Sequence, residues 1–313
     1  MIDRKQKLRV ALLFGGKSTE HEVSLTSAIS ILNHIDKEKY DVLPIKISKD
    51  GHWLALPDAE SLNSYKALET GNGPLVVVGD PDSKGLIRIE KGVEHASNSI
   101  QAEHVDVVFP LLHGTFGEDG TVQGLLRLAE IPCVGAGVLA SSVCMDKIVM
   151  KQMFFQNDLA SPDFMWFLRK DWESKQEFVL KGVREEIGFP CFVKPANTGS
   201  SVGIVKVHGE EELLPAVDEA AKYDRKLLVE KALDARELEC GVLGNDDPEA
   251  SIVGEVIPCN EFYDYEAKYI SNGSRTVIPA EISESVSEEV RRMAVAAFKA
   301  VDCAGMARVD FFL

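Results

Sequence analysis

The stretch FPCFVKPANTGSSVGIVKV, residues 189–207, decides how this sequence is to be read. Two apolar runs, FPCFV and IVKV, flank a polar loop that holds Pro195, Gly199, Ser200, Ser201 and Gly203. Apolar runs bounded by Gly, Pro, Asn and Ser mark strands joined by a mobile hairpin. Lys194 stands at the end of the first strand, with the glycine and two serines just beyond it. Such a set offers a positive charge, hydroxyl donors and closely approaching backbone amides, which suits a phosphate group. By composition alone, an ordinary polar hairpin fits equally well.

Outward from this loop, KLLVEKAL (226–233) predicts a further strand, and a charged helical stretch near 171–187 precedes the pair. Before Pro162 comes a helix through MDKIVMKQMFFQ (145–156), so this part reads as a small α+β module. A third block follows, with strands in ELECGVLG (237–244), SIVGEVIP (251–258) and GMARVDFFL (305–313), a loop over 260–274 and a helix over 287–301. At the other end, LRVALLF (8–14) predicts a buried strand, GGKSTEHE (15–22) a loop and VSLTSAISILNHI (23–35) an amphipathic helix, the opening of an α/β sheet. Residues from about 50 to 104 mix the short runs LVVV and LIRI with turn formers and read as an elaboration. The sheet resumes with HVDVVFPLLHG (104–114), a loop, the helix TVQGLLRLAE (121–130) and a short strand IPCV. Ligands of open α/β sheets gather beyond the carboxyl ends of strands, so His113 and Glu22 are expected to face one crevice. No internal repeat is present.

A length of 313 residues suggests two or three modules with a cleft. The 45% hydrophobic and 27% charged fractions are those of a globular protein. The longest apolar runs are strand-sized, and MIDRKQKLRV lacks the apolar core of a signal peptide, so a cytoplasmic location without membrane spans is expected. Six widely spaced cysteines with no Cys-x-x-Cys pair read as reduced, mostly buried small hydrophobes. A formal charge of -16 argues against nucleic-acid binding, and anionic ligands must meet a local cluster of cations.

Two motifs fail on inspection. Gly16, Lys17 and Ser18 match the end of a Walker A loop, but that loop needs a glycine where Ala11 begins ALLF. Gly135 to Ala140 satisfies G-x-G-x-x-A, but the acidic residue due about 20 positions on lands near Asp158, at a helix end rather than a strand end. A glycine-rich turn between domains is the better reading.

The segments GGKSTEHEVSL, PLLHGTFGEDGTVQG, GAGVLASSVCMDK, KPANTGSSVG, VEKAL, FYDYEAKY and RVD occur in the order and at spacings that resemble the D-alanine-D-alanine ligases of the ATP-grasp superfamily. The resemblance runs from Val10 to Asp310, with about 50–104 as its variable part. It implies an α/β chain with a Rossmann-like N-terminal substrate domain (1–140) followed by the central (141–231) and C-terminal (232–313) halves of an ATP-grasp fold, the last incomplete. It implies ATP-dependent joining of two D-alanines through an acyl phosphate, for peptidoglycan precursors.

Residue by residue, the resemblance places Lys147, Lys194, Ser200, Ser201 and Lys268 at ATP phosphates, Glu230 at the adenine amino group and Glu237 at the ribose, with Lys231 and Leu233 also among the nucleotide-binding residues. It gives the first D-alanine's ammonium to Glu22 and its carboxylate to His113. Ser200 and Tyr269 tie two loops across the cleft, with the loop at 260–275 closing over the acyl phosphate, and Arg308 stabilises the tetrahedral oxyanion. A first-turn glutamate favoured by the helix dipole also explains Glu22, and Glu230 or Glu237 could equally be surface acids. Asp310 is implied as a ligand of Mg²⁺ (or Mn²⁺), but the family's downstream Glu-x-Asn motif lies beyond Leu313, so the sequence reads as a truncated ligase. Retention of Tyr269 favours the dipeptide over a D-alanine-D-lactate ester. The alternatives are an ATP-grasp ligase of another substrate, or a nucleotide-binding chain without turnover. A homodimer is also implied.

Overall fold

The computed structural model describes residues 7–56, 74–77, 85–90, 99–258 and 274–313. Contacts divide the chain into two compact units, Met1–Val138 and Leu139–Leu313.

In the first unit, LRVALLFG forms β1 (Leu8–Gly15), which is apolar from Val10 to Phe14 because it has no solvent face. Leu12 and Phe14 pack against Ala28 and Leu32 of α1 (His21–His34), while Ala11 and Leu13 enter the opposite layer. β2 (Tyr40–Ile47) lies parallel to β1 and carries β3 (Trp53–Ala55) antiparallel on its outer edge. β4 (Leu75–Val77), β5 (Gly85–Glu90) and β6 (Ser99–His104) form a separate antiparallel sheet from the expected elaboration. β7 (Val107–Leu111) then pairs in parallel with the other edge of β1, which gives the order β3-β2-β1-β7. A strand between parallel neighbours and covered on both faces must be a continuous apolar run, as β1 is. Val122 and Leu126 of α2 (Thr121–Leu128) complete the layer that receives Leu13. The expected strand IPCV shrinks to a single parallel bridge between Cys133 and Val108, since Pro132 has no N–H to extend a ladder.

The second unit begins with two helices, the second of which is the one expected over 145–156, while the first was not expected. α3 (Val138–Met145) and α4 (Lys147–Gln156) are separated at Asp146, whose carboxylate accepts from the N–H groups of Ile148 and Val149 and pairs with Lys226. An aspartate at that position ends one helix and caps the next. After β8 (Phe164–Leu168), α5 (Arg169–Gly182) and one π turn (Val183–Ile187) occupy the charged stretch expected near 171–187. β9 (Cys191–Pro195), β10 (Val205–Val207), α6 (Glu210–Ala220) and β11 (Lys226–Lys231) complete an antiparallel sheet of order β10-β9-β11-β8. β12 (Glu237–Gly244), β13 (Glu249–Ile257), β14 (Arg275–Val277) and β15 (Gly305–Phe312) form a second antiparallel sheet, β14-β13-β12-β15, against which α7 (Glu284–Ala300) packs. The Ser283 hydroxyl caps α7 by accepting from Val286 N–H.

Register decides which side chains the first of these sheets sends to each face. Val193 lies opposite Val229 and Val205, and Leu227 opposite Phe167, and these odd-numbered residues pack with Trp172 and Val217, all but Val205 being buried. The even-numbered set, Phe164, Phe192, Lys194, Lys206, Leu228 and Glu230, shares the other face, because successive strand residues alternate and direct partners lie side by side. There Leu228 is fully buried with Ile148 of α4 and Ala196. The cysteines that the structure describes are all free, with Cys191, Cys240 and Cys303 buried as expected and Cys144 exposed.

Leu228→Ala should destabilise the protein by about 2–5 kcal/mol through lost burial and a residual cavity. Leu243→Ala, on a side chain 67% exposed, should stay within about 0.5 kcal/mol. Urea unfolding followed by far-UV dichroism separates the two.

Candidate functional site

In the first unit, the carboxyl ends of β1 and β7 are tied by one side chain. The Ser24 hydroxyl accepts from Gly15 N–H at 2.7 Å and donates to the Leu111 carbonyl. Gly15 has φ +89°, and a Cβ there would stand 2.3 Å from the Ile47 carbonyl oxygen, so the turn leaving β1 requires glycine. His21 fastens the same turn by donating from Nδ1 to the Gly16 carbonyl at 2.7 Å. Beyond the strand ends lies a cavity of 210 Å³ walled by Lys17, Trp53, Leu112, His113 and Phe116. His113 Nε2 is buried there with no hydrogen-bond partner among the described residues, and a buried polar atom of that kind calls for a ligand or water.

The two glutamates of the STEHE loop part company. Glu22 projects from α1 with its side chain 72% exposed and pairs with Lys49 at 2.9 Å. That hydrogen bond draws its pKa below the usual carboxylate range. Glu20 is buried, and its carboxylate packs against Gly114, the residue after His113. The expectation that Glu22 shares a crevice with His113 is therefore corrected: at the start of a helix a step of two residues turns a side chain to the opposite side, and Glu20 takes the inner position.

In the second unit, a cavity of 800 Å³ opens between the two antiparallel sheets, within the range of about 300–1,000 Å³ typical of small-molecule sites. It brings together Lys194, Ser201, Glu230, Lys231, Leu233, Glu237, Arg308 and Asp310, all expected from the sequence. Glu230 sits on the central strand with its side chain 5% exposed, held by Lys194 and Lys151 at 2.5 Å each. Burial alone would raise its pKa, but the two ammonium groups reverse that and keep it below the usual value. Arg308 donates twice to Asp310, at 2.7 and 2.9 Å, and reaches Glu239 at 3.3 Å.

Lys147 lies beneath the loop that follows β9, its ammonium donating to the Thr198 carbonyl at 2.5 Å. Burial, reinforced by the charge of Lys194, lowers its pKa to about 8. Ser200 and Ser201 in that loop both take positive φ, +49° and +60°, a backbone strain found where a loop is shaped for a ligand. Gly203 (φ +73°) lets the loop pass Tyr223, whose ring would stand 2.6 Å from any Cβ. Lys268 and Tyr269 lie outside the described residues.

Four residues escaped the sequence reading. Glu20 was masked by its neighbour two places on. Lys206 and Phe192 face each other across β10 and β9, and the ammonium groups of Lys194 and Lys206 lie 5.3 and 5.9 Å from the Phe192 ring centroid. Counting back two residues from Lys194 finds Phe192, but its partner requires the register. Lys151, one helical turn after Lys147, carried a signal only as a second lysine on one helix face.

Comparison with known proteins agrees with this geometry. Models of the D-ala D-ala ligase N-terminus and C-terminus match residues 9–136 and 153–313. The chain is 50% identical over 310 residues to a D-alanine-D-alanine ligase of Thermoanaerobacter sp. (strain X514), covering 98% of this chain and 84% of that protein. It is 48% identical to one from Acetivibrio thermocellus, with the same coverages. Among solved structures, the VanG D-Ala:D-Ser ligase from Enterococcus faecalis is similar with a TM-score of 0.86 at 34% identity, over 98% of this chain and 86% of that one. The D-alanine-D-alanine ligase from Coxiella burnetii gives a TM-score of 0.79 at 34% identity, over 98% and 81%. With both family models matched in order, and half its residues shared with such a relative, the chain belongs to the D-alanine-D-alanine ligase family.

Proposed function

We propose that this chain joins two D-alanines into D-alanyl-D-alanine for peptidoglycan synthesis, with ATP converted to ADP and phosphate, and that the cavity between its two antiparallel sheets is the nucleotide site. The observation that carries this reading is the convergence there of eight side chains drawn from residues 194 to 310. Lys194 and Lys147 meet the phosphates, with the amides and hydroxyls of Ser200 and Ser201 in support. Glu230 accepts from the adenine amino group, the backbone of Lys231 and Leu233 borders the base, and Glu237 accepts from the ribose hydroxyls. Lys206, opposite Phe192, adds a third cation to the phosphate end. Lys268 and Tyr269 keep the roles the resemblance implies, phosphate contact and the tie to Ser200. We place the enzyme in the cytoplasm as a homodimer; no helix among the described residues is long and apolar enough to cross a membrane.

The carboxylate oxygen of the first D-alanine attacks the γ-phosphorus, ADP leaves, and an acyl phosphate forms. The amine of the second D-alanine adds to the acyl carbon, loses a proton, and phosphate departs. The chain's own part is to position and to neutralise charge. His113, whose buried Nε2 has no partner among the described residues, donates to the first substrate's carboxylate, and Glu20 receives its ammonium. Arg308, held by Asp310 and Glu239, places its guanidinium charge toward the oxyanion. To ligate a divalent cation of the Mg²⁺ or Mn²⁺ kind, which takes one or two carboxylates and completes its shell with phosphate oxygens and water, Asp310 would have to release one of the two oxygens that Arg308 now holds. Bound there, such an ion supplies neutralisation of phosphate charge.

Glu20→Gln should lower kcat/KM for D-alanine by about 10- to 100-fold, the worth of one charge-assisted hydrogen bond, while Glu22→Gln stays within about twofold. Phosphate release at varied D-alanine measures both, and the reverse order would return the ammonium to Glu22.

A pH effect follows from Lys147. Its lowered pKa, about 8 against 10.5 for the free side chain, leaves it neutral between those values in the free protein. The unfolded chain binds more protons there, so stability should rise with pH across that window. Polyphosphate favours the charged form, so ATP binding at pH 9 should take up a proton. Calorimetry in buffers of different ionisation enthalpy reads this uptake, and Lys147→Met should abolish it.

A further inference from the structure

One buried cation has no part in the mechanism above. Lys151 emerges from α4 with its side chain 7% exposed, and its ammonium bonds Glu230 Oε2 at 2.5 Å and Ser161 Oγ at 2.7 Å. Lys194 holds the other oxygen of the same carboxylate, also at 2.5 Å. The arrangement is nearly symmetrical. On the central strand β11, Glu230 pairs with Phe164 on one side and Phe192 on the other, and each lysine lies over one of those rings, at 5.2 and 5.3 Å.

The two lysines differ in freedom. Lys194 lines the cavity; Lys151 does not. Lys151 is fastened beside the cavity on the same face of the sheet, since Ile148 of its helix packs on Leu228 and Asp146 at the helix start pairs with Lys226. One carboxylate needs one counter-charge, so a second buried lysine on Glu230 is redundant until the first departs. Departure is what phosphate binding asks of Lys194. A carboxylate then left without a cation in a dry sheet would take up a proton or draw Lys194 back.

We propose that Lys151 is the positioning residue of nucleobase recognition, keeping Glu230 ionised and aimed at the adenine amino group while Lys194 serves the phosphates. This rests on the reading of Glu230 as the adenine acceptor. Of the two oxygens, Oε2 stays with Lys151, and Oε1, which Lys194 vacates, faces the cavity and accepts from the base. An ionised carboxylate accepts from a 6-amino group and repels a 6-oxo group, so the pair also sets selectivity for adenine over hypoxanthine.

The test is calorimetric binding of ATP and of inosine triphosphate, which carries a carbonyl in place of the amino group, to the full chain and three variants. In Lys151→Met the preference for ATP over inosine triphosphate should fall about 10- to 100-fold, as when a hydrogen bond to a charged group is lost. Ser161→Ala, which leaves every charge in place and loosens Lys151, should lower it in the same direction by about threefold, and it decides the matter if Lys151→Met does not fold. Glu230→Gln should also lose the preference, because an amide can turn either its oxygen or its NH₂ to the base. Equal weakening of both nucleotides in Lys151→Met, or an unchanged preference in Lys151→Met or Ser161→Ala, with the preference lost in Glu230→Gln, overturns the role of Lys151 alone. An unchanged preference in Glu230→Gln overturns the adenine assignment and this inference with it.

Discussion

An ionised carboxylate buried in the middle of a sheet governs the second unit. Glu230 cannot be left there alone, because the loss of hydration on burying a charge far exceeds anything a single packing contact returns. Two lysines answer it, one from the neighbouring strand β9 and one from α4. Each then needs its own support, which Phe192, Phe164 and Ser161 provide. The sheet thus carries a polar island on one face and the odd-numbered apolar residues on the other. Removing Glu230 leaves two lysines without their shared carboxylate, whereas removing either lysine leaves the other on it.

The same logic places the loop after β9. Lys147 reaches its carbonyl at Thr198, its own N–H reaches Ala196, and Asn197 is clamped twice by Asp224 at 2.9 Å. With its base held at three successive residues, the loop can keep Ser200 and Ser201 in left-handed conformations that isolated residues avoid. Preorganised backbone amides are the usual means by which such loops meet phosphate at low entropic cost. In the first unit a single hydroxyl, Ser24, does comparable work, holding two parallel strand ends together so that the turns after them, with Glu20 and His113, are fixed.

Much of this was legible in the residues. The continuous apolar run of β1, the short apolar runs of β9 and β11, and the turn formers between them specify their elements locally, and the family motifs carried the residues that the cavity gathers. Where the reading slipped, the reason was geometric. Glu22 and Glu20 are two residues apart at the start of a helix, and sequence spacing does not say which of them looks inward. The helix Val138–Met145 was not expected, and the start of the next one was set two residues early, because the capping role of Asp146 depends on carboxylate geometry and on a partner, Lys226, that comes 80 positions later.

The sequence by itself determined the class of element at each position and the chemical inventory of the site: which lysines, acids and serines were on hand, and that a glycine-serine loop followed a strand-end lysine. Periodicity and turn chemistry are local, and they survive in a string of letters. Only the tertiary structure decided how those groups are shared. That Lys151 and Lys194 divide the two oxygens of Glu230, and that Lys206 stacks beside Lys194 over Phe192, follow from strand register and from the side of the sheet on which α4 packs. Those are long-range choices set by burial of the whole apolar face, and no window of neighbouring residues contains them.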